Sequence, residues 1–296
     1  MYSGIDNSNT ARIAAHFGNA FAQDLPARLS AYAAKWGLSA FAHVDYYSVN
    51  CIFTCFSTQY GPAVLKIGHP SMETKTEYAT LTAYGGRGFC RALAEDTENG
   101  VLLVERVSPG TQLRAEADAD KRLAVFCGLW RNLHIPANGQ PYPTRADWMH
   151  NAARDAKAHP EYPELAIHME KALPIFESLR AAYPGEMLLH GDLHHDNILL
   201  SEQGYVIIDP KGVIGDPVFD IPRFLINEFD DDLTDACMQR LVYMIGELSK
   251  HLGIPEADLR RLAYVETVMC ESWCAEGGNP ALADLAFAER LLNGEI

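Results

Sequence analysis

Strand-like and helix-like segments are sorted along this 296-residue chain instead of interleaved, and that sorting limits the folds open to it. Residues 9–36 read as two helical segments, the second opening on Asp24 with Pro26 behind it. Then come short apolar or alternating runs, SAFAHVDYY, NCIFTCFS, GPAVLKIG, FCRALAE and GVLLVERV, separated by glycine-containing or polar turns, among them Asn99-Gly100. One helix interrupts them, opening on Ser71 as its cap and stopping at Gly85-Gly86. Beyond SPGTQL the texture turns helical: residues 116–134, 144–158 and 163–182, the last interrupted at Pro174, and from Pro217 onward 217–228, 233–251, 255–276 and 280–293. EMLLH, NILL and GYVIIDP are the strand-like exceptions. The pattern predicts an α+β chain of two lobes: residues 1–106, two leading helices plus a small sheet with one key helix, and residues 107–296, larger and mainly helical, joined near residues 105–108.

An apolar content of 48% supports a sizeable core. No run approaches the ~20 apolar residues of a membrane span, and the first residues lack a basic stretch followed by an apolar one, so a soluble, cytoplasmic protein is expected. The seven cysteines, odd in number and scattered, fit reduced thiols. Cys270 and Cys274 share a helix face, but no second pair accompanies them, and they read as core residues and not as a zinc site. The net charge of −15 is lopsided: residues 187–296 hold 20 acids against 7 bases. Such a field disfavours nucleic acids and anionic membranes as partners and favours a cationic small molecule, although solubility alone would also account for it.

The chemistry concentrates in LLHGDLHHDNILL, residues 188–200. Asp192 and Asn197 stand in the spacing D-x-x-x-x-N, in which one carboxylate accepts a hydroxyl proton and one amide oxygen holds a magnesium ion. Twelve residues after Asn197, the apolar run of YVIIDPKG ends in Asp209, a second carboxylate for the same metal. Upstream, AVLKIG sets Lys66 on a strand in a form close to V-A-I-K, whose lysine pairs with nucleotide phosphates, and Glu77 in the next helix is the acid to fix it, with Glu73 one turn earlier able to reach the same lysine. The three histidines of the loop, with Asp196, admit a second reading as metallohydrolase ligands; that site needs further histidines from other strand ends, which the sequence around DPKG does not offer. His190 reads instead as a residue fixing the loop by a hydrogen bond. A nucleotide-binding protein without catalysis is a third reading, against which the intact set Asp192, Asn197, Asp209 and Lys66 argues.

With HGDLHHDNIL and IIDPKGVIGDPVFD, the chain resembles the aminoglycoside phosphotransferase family, in the branch of streptomycin kinases and hydroxyurea phosphotransferases, from about residue 48 to the end. The resemblance implies a bilobal, protein-kinase-like fold using ATP and Mg2+. It implies Asp192 as catalytic aspartate, Asn197 and Asp209 as magnesium ligands, and Lys66 with Glu77 at the nucleotide phosphates. It further implies that backbone groups near Glu105 and Val107 in LLVERVSPG receive the adenine, and that Ser48 and Asn50 in YSVN lie by the phosphates. The chain departs from protein kinases in that no G-x-G-x-x-G precedes Lys66, and from the family in DIPRFLIN, which brings a proline and Arg223 where the family more usually has small or apolar residues. Asp216 and Asp220 are expected to serve structure, through a turn and contacts back to the catalytic loop.

For the acceptor, the candidates are Asp196, Glu228 in NEFDDDLTD, and Glu271, Trp273 and Glu276 near a helix C-terminus, where carboxylates face the negative end of the helix dipole and Trp273 could stack on a cation. The expected substrate is a small cationic alcohol of the streptomycin type. Hydroxyurea, or an amino alcohol or sugar metabolite, is the alternative.

Overall fold

The computed structural model describes residues 7–47, 49–137, 139–228 and 233–295. The chain divides into two compact units: residues 1–111 with 199–208, and residues 112–198 with 209–296.

The first unit is built on helices α1 (Asn7–Phe17) and α2 (Asn19–Trp36) and an antiparallel sheet of β1 (Leu38–Tyr47), β2 (Asn50–Ser57), β3 (Gly61–Gly68), β4 (Ala92–Asp96) and β5 (Val101–Glu105), in the order β1-β2-β3-β5-β4. Helix α3 (Met72–Tyr84) connects β3 to β4. The two periodicities meet in one core. Ile13, Phe17, Phe21, Leu25, Leu29 and Tyr32 recur at helical spacing and pack on the alternate residues Cys51, Phe53, Cys55, Ala63, Leu65, Ile67, Val101 and Leu103 of the sheet. Lys66 falls between Leu65 and Ile67 and so belongs to the opposite face, toward α3. The break between the leading helices lies at Gly18, φ 92°, and not at Asp24: both Asp24 and Pro26 sit inside α2. Glycine takes a positive φ without the steric cost that an L side chain meets there, so it ends α1 where a capping aspartate was expected to open the next helix. Ser71 caps α3 by accepting the Thr74 N–H, and Gly85 closes it in the left-handed region. Strand Gly204–Ile207 is tied into the same unit by Cys90 N–H to Ile207 O and Ile207 N–H to Gly88 O.

The second unit holds α4 (Ala119–Trp130), α5 (Arg145–Ala158), α6 (Pro163–Ala182), α7 (Pro222–Ile226), α8 (Asp235–Leu252), α9 (Glu256–Glu276) and α10 (Leu282–Asn293). Helix α9 packs against α5, α6, α7, α8 and α10. It accordingly buries an unbroken run from Leu262 to Met269, where a surface helix would bury one stripe. Pro174 does not interrupt α6, which is continuous from Pro163 to Ala182; the packing of Met169, Ala172, Phe176 and Leu179 on both sides of the proline carries the helix through it. A short antiparallel sheet of Ile135–Pro136, Met187–Leu189 and Val213–Gly215 has Met187–Leu189 at its centre, and the histidine-rich loop begins where that strand ends. Among the described residues no helix is long and apolar enough to cross a membrane, and all seven cysteines are free.

Candidate active site

In the first unit Lys66 is buried, and of the two acids on α3 it is Glu77, also buried, that reaches its ammonium as an ion pair. A lysine this deep stays charged only with a partner, and the pair fixes its head against α3. Asn50 opens β2 with its side chain buried and its amide oxygen against Gly68, where a Cβ would approach it to 2.6 Å. Ser48 lies outside the described residues. Glu105 ends β5; its N–H donates to Arg91 O and its carboxylate takes the Arg91 guanidinium, with Nε at 3.1 Å. Val107 follows two residues on, half-buried.

In the second unit the loop after Leu189 is held almost entirely by its backbone. Asp220, fully buried, accepts the N–H of His190 (2.8 Å) and of Gly191 (2.7 Å) and meets His134 Nε2 at 2.9 Å. Burial pushes its carboxyl up, but His134, with His190 and the Gly191 amide, outweighs that and holds it below the usual carboxylate range. Gly191 has φ 83°, and a Cβ there would come within 2.7 Å of the Trp148 ring, so both conformation and space demand glycine. His190 Nδ1 accepts the Asp192 N–H, as a loop-fixing histidine should. The Asn197 amide donates to Asp192 O at 2.9 Å and lies 3.2 Å from His194 Nε2. His194 Nδ1 accepts the Asp196 N–H at 3.3 Å, and His195 Nε2 lies 2.8 Å from Glu228 while its ring stacks on Phe224. The histidines are thus turned to three different tasks, and among the described residues no three His, Cys, Asp or Glu side chains group as a metal cage.

The Asp192 side chain is met through Oδ1 by Arg223 Nε at 2.7 Å and, more distantly, by His194 Nε2 at 3.6 Å. Burial alone would raise its carboxyl, but His194 and Arg223 hold it far below the usual range, and His194 is raised in turn by Asp192 and Asp196 against the opposing effect of its own burial. Asp209, at φ 58°, occupies the left-handed region, a strained backbone of the kind that clusters at functional sites.

The expected acceptor residues do not gather in one place. Asp196 is gripped by Arg114 through both carboxylate oxygens, at 2.7 and 2.8 Å. Glu228 is buried and held by Arg122 and His195. Glu271 stands on the wall of a cavity of about 340 Å3 that Arg114, Arg223, Thr267, Cys270 and Asp284 also line. There it accepts the Ala281 N–H at 2.5 Å, and burial raises its carboxyl above the usual range. Trp273 and Glu276 are not among the lining residues: Trp273 packs edge-on against Trp148, and Glu276 is exposed at the end of α9. Cys270 is on the cavity wall and Cys274 is exposed, so neither is the core residue expected. Sequence reasoning missed Arg114, Arg122, Trp148 and Asp284. The arginines reveal themselves only through partners 82 and 106 residues away, and no local spacing signals that.

Known proteins give independent bearings. Residues 49–278 match the family described as aminoglycoside/hydroxyurea antibiotic resistance kinase. Streptomycin 6-kinase of Streptomyces glaucescens is 27% identical over 274 residues, 90% of this chain and 88% of that protein. Hydroxyurea phosphotransferase of Kitasatospora aureofaciens is 29% identical over 284 residues, covering 93% and 81%. Among solved structures, choline kinase LicA from Streptococcus pneumoniae superposes with a TM-score of 0.64 at 14% identity, over 92% of this chain and 99% of that one, a likeness of fold.

Proposed function

For a chain that belongs to the aminoglycoside/hydroxyurea antibiotic resistance kinases, and is therefore a phosphotransferase acting on hydroxyl groups of small molecules, we propose ATP- and Mg2+-dependent phosphorylation of a small cationic alcohol, a streptomycin-type aminocyclitol, in the cytoplasm. The observation that carries this reading is the arrangement of residues 190–197, in which His190 and Gly191 are tied to Asp220, Asp192 N–H to His190, and the Asn197 side chain to Asp192 O. The Asn197 amide nitrogen is spent on Asp192 O, which turns its oxygen outward as a hard donor; together with the Asp209 carboxylate that suits Mg2+, an ion that takes few protein ligands and completes its shell with phosphate and water. When bound, Mg-ATP supplies the phosphoryl group and neutralises its developing charge. Lys66, locked by Glu77, holds nucleotide phosphates, with Asn50 on the neighbouring strand and with Ser48, outside the described residues, assigned to the same phosphates. The Glu105 N–H is already engaged, so its carbonyl and the Val107 N–H are the groups offered to adenine. Asp192 orients the acceptor hydroxyl and takes its proton as the bond to phosphorus forms. Asp196 and Glu228 serve the loop through their arginines, and Glu271 with Asp284 faces the acceptor's cation.

A second reading, transfer to a neutral carrier such as hydroxyurea, is favoured by Glu271, one of the two acids on the cavity wall, whose burial raises its carboxyl above the usual range and so disfavours its charged form. An ATP-consumption assay with streptomycin, hydroxyurea and small amino alcohols, with the product's phosphate located by NMR, separates them. Streptomycin is expected to give the highest kcat/KM; a higher value for hydroxyurea or an amino alcohol overturns the acceptor assignment. Asp192→Asn is expected to bind ATP as the parent does while losing turnover by about 10^3-fold. Near-normal turnover in that folded variant would remove Asp192 from the chemistry.

A further inference from the structure

The backbone of the catalytic loop is fixed many times over, but the carboxylate of Asp192 is not. His190 and Asn197 bind its N–H and C=O, and neither restrains rotation of the side chain. Its direct support is Arg223 at 2.7 Å, with His194 more distant at 3.6 Å.

Arg223 is itself held at two points. Pro222 opens the short helix α7 and sets the entry of the chain. From the next position the guanidinium sends Nε to Asp192 Oδ1 and Nη1 to Cys270 Sγ at 3.1 Å. Cys270 lies on α9 one turn beyond Glu266, whose carboxylate pairs with Arg145. The planar fork therefore bridges the central helix of the unit to the loop carboxylate, and a lysine, with one flexible point charge, could not reproduce both contacts. Because the fork occupies Oδ1, the second oxygen is the one turned to an incoming hydroxyl.

Resting on the phosphotransferase reading above, we propose that Arg223 is a positioning residue of the reaction: it fixes the rotation of the Asp192 carboxylate so that Oδ2 receives the acceptor hydroxyl. An ångström of misplacement at such a contact costs about 10^2-fold in rate. A residue acting only through Asp192 should lose its effect when Asp192 no longer works, which a double-mutant cycle reads directly.

The experiment compares the parent protein with Arg223→Met, Arg223→Lys, Asp192→Asn and the two double variants with Asp192→Asn. MgATP consumption is followed with water as the only acceptor and again with streptomycin, and unfolding midpoints verify each fold. Arg223→Met is expected to lower kcat by about 10^2-fold with the KM for ATP unchanged, and Arg223→Lys to stand about tenfold below the parent. In the Asp192→Asn background either change at Arg223 is expected to alter kcat less than about twofold. A folded Arg223→Met within about threefold of the parent, or a loss as large in the Asp192→Asn background as in the parent, overturns the proposal. If Arg223→Met does not fold, the cycle with Arg223→Lys decides by the same additivity. Turnover on water without transfer to streptomycin leaves the Arg223 cycle readable while rejecting the acceptor. No ATP consumption by the parent under either condition overturns both readings.

Discussion

Asp220 shows how a residue outside the chemistry sets what the chemistry can do. Its two oxygens take two consecutive backbone N–H groups at the start of the histidine-rich loop, at the turn of Gly191. With its carboxyl held below the usual range in the folded protein, its contribution to stability is fully present above about pH 4 and is lost as pH falls through the depressed value. Asp220→Asn is expected to cost about 2 kcal/mol at pH 7 and progressively less as the pH drops below 4. Urea unfolding of both proteins across pH 2.5–7 checks this, and a constant difference would show that the charge is not what matters. At this scale the sequence was informative where partners are neighbours: Asp192, Asn197 and His190 are tied to one another within a few residues, and their spacing announced it. It was silent on Arg114 with Asp196 and Arg122 with Glu228, because an arginine reaching across the fold leaves no trace in the spacing of the carboxylate it meets.

Among the elements, the sheet of the first unit was legible because short apolar runs alternate with glycine-containing or polar turns, whereas the face that Lys66 occupies was not, since β3 buries Leu65, Lys66 and Ile67 in succession. The leading helices were harder. Their apolar spacing was plain, but their purpose was not, since helical periodicity names a buried face without naming what buries it. Leu29 is wholly buried against the sheet that carries Lys66. Leu29→Ala is expected to destabilise the protein by about 3 kcal/mol, measured as a lowered denaturation midpoint with an unchanged slope. A change under about 0.5 kcal/mol would mean that α2 is a loosely attached layer.

For the whole molecule, the charge asymmetry becomes specific once the wall of the second unit is known. Part of the acidity of residues 187–296 is offset by bases outside that stretch, as in Asp196 with Arg114 and Glu228 with Arg122, so its net −13, from 20 acids and 7 bases, overstates the field at the cavity. What remains acts at long range. If the acceptor is a cation, its KM should rise severalfold between 20 mM and 300 mM salt while kcat stays nearly constant, as screening weakens attraction without touching the bonded steps. A KM indifferent to salt, measured in the same assay with streptomycin, would point to a neutral acceptor. The cavity of the second unit was the least legible part of the chain, since Arg223, Cys270, Glu271 and Asp284 come from three helices and share no motif.

The packing of α1 and α2 on the sheet carries a lesson for anyone wishing to shorten this protein. A chain begun at β1 would keep every residue proposed for a chemical role and yet present Phe53, Cys55, Leu65 and Ile67 to water as a sticky slab. The first three dozen residues thus act as the enzyme's lining: they perform no step, and without them the machinery would precipitate before it met a nucleotide.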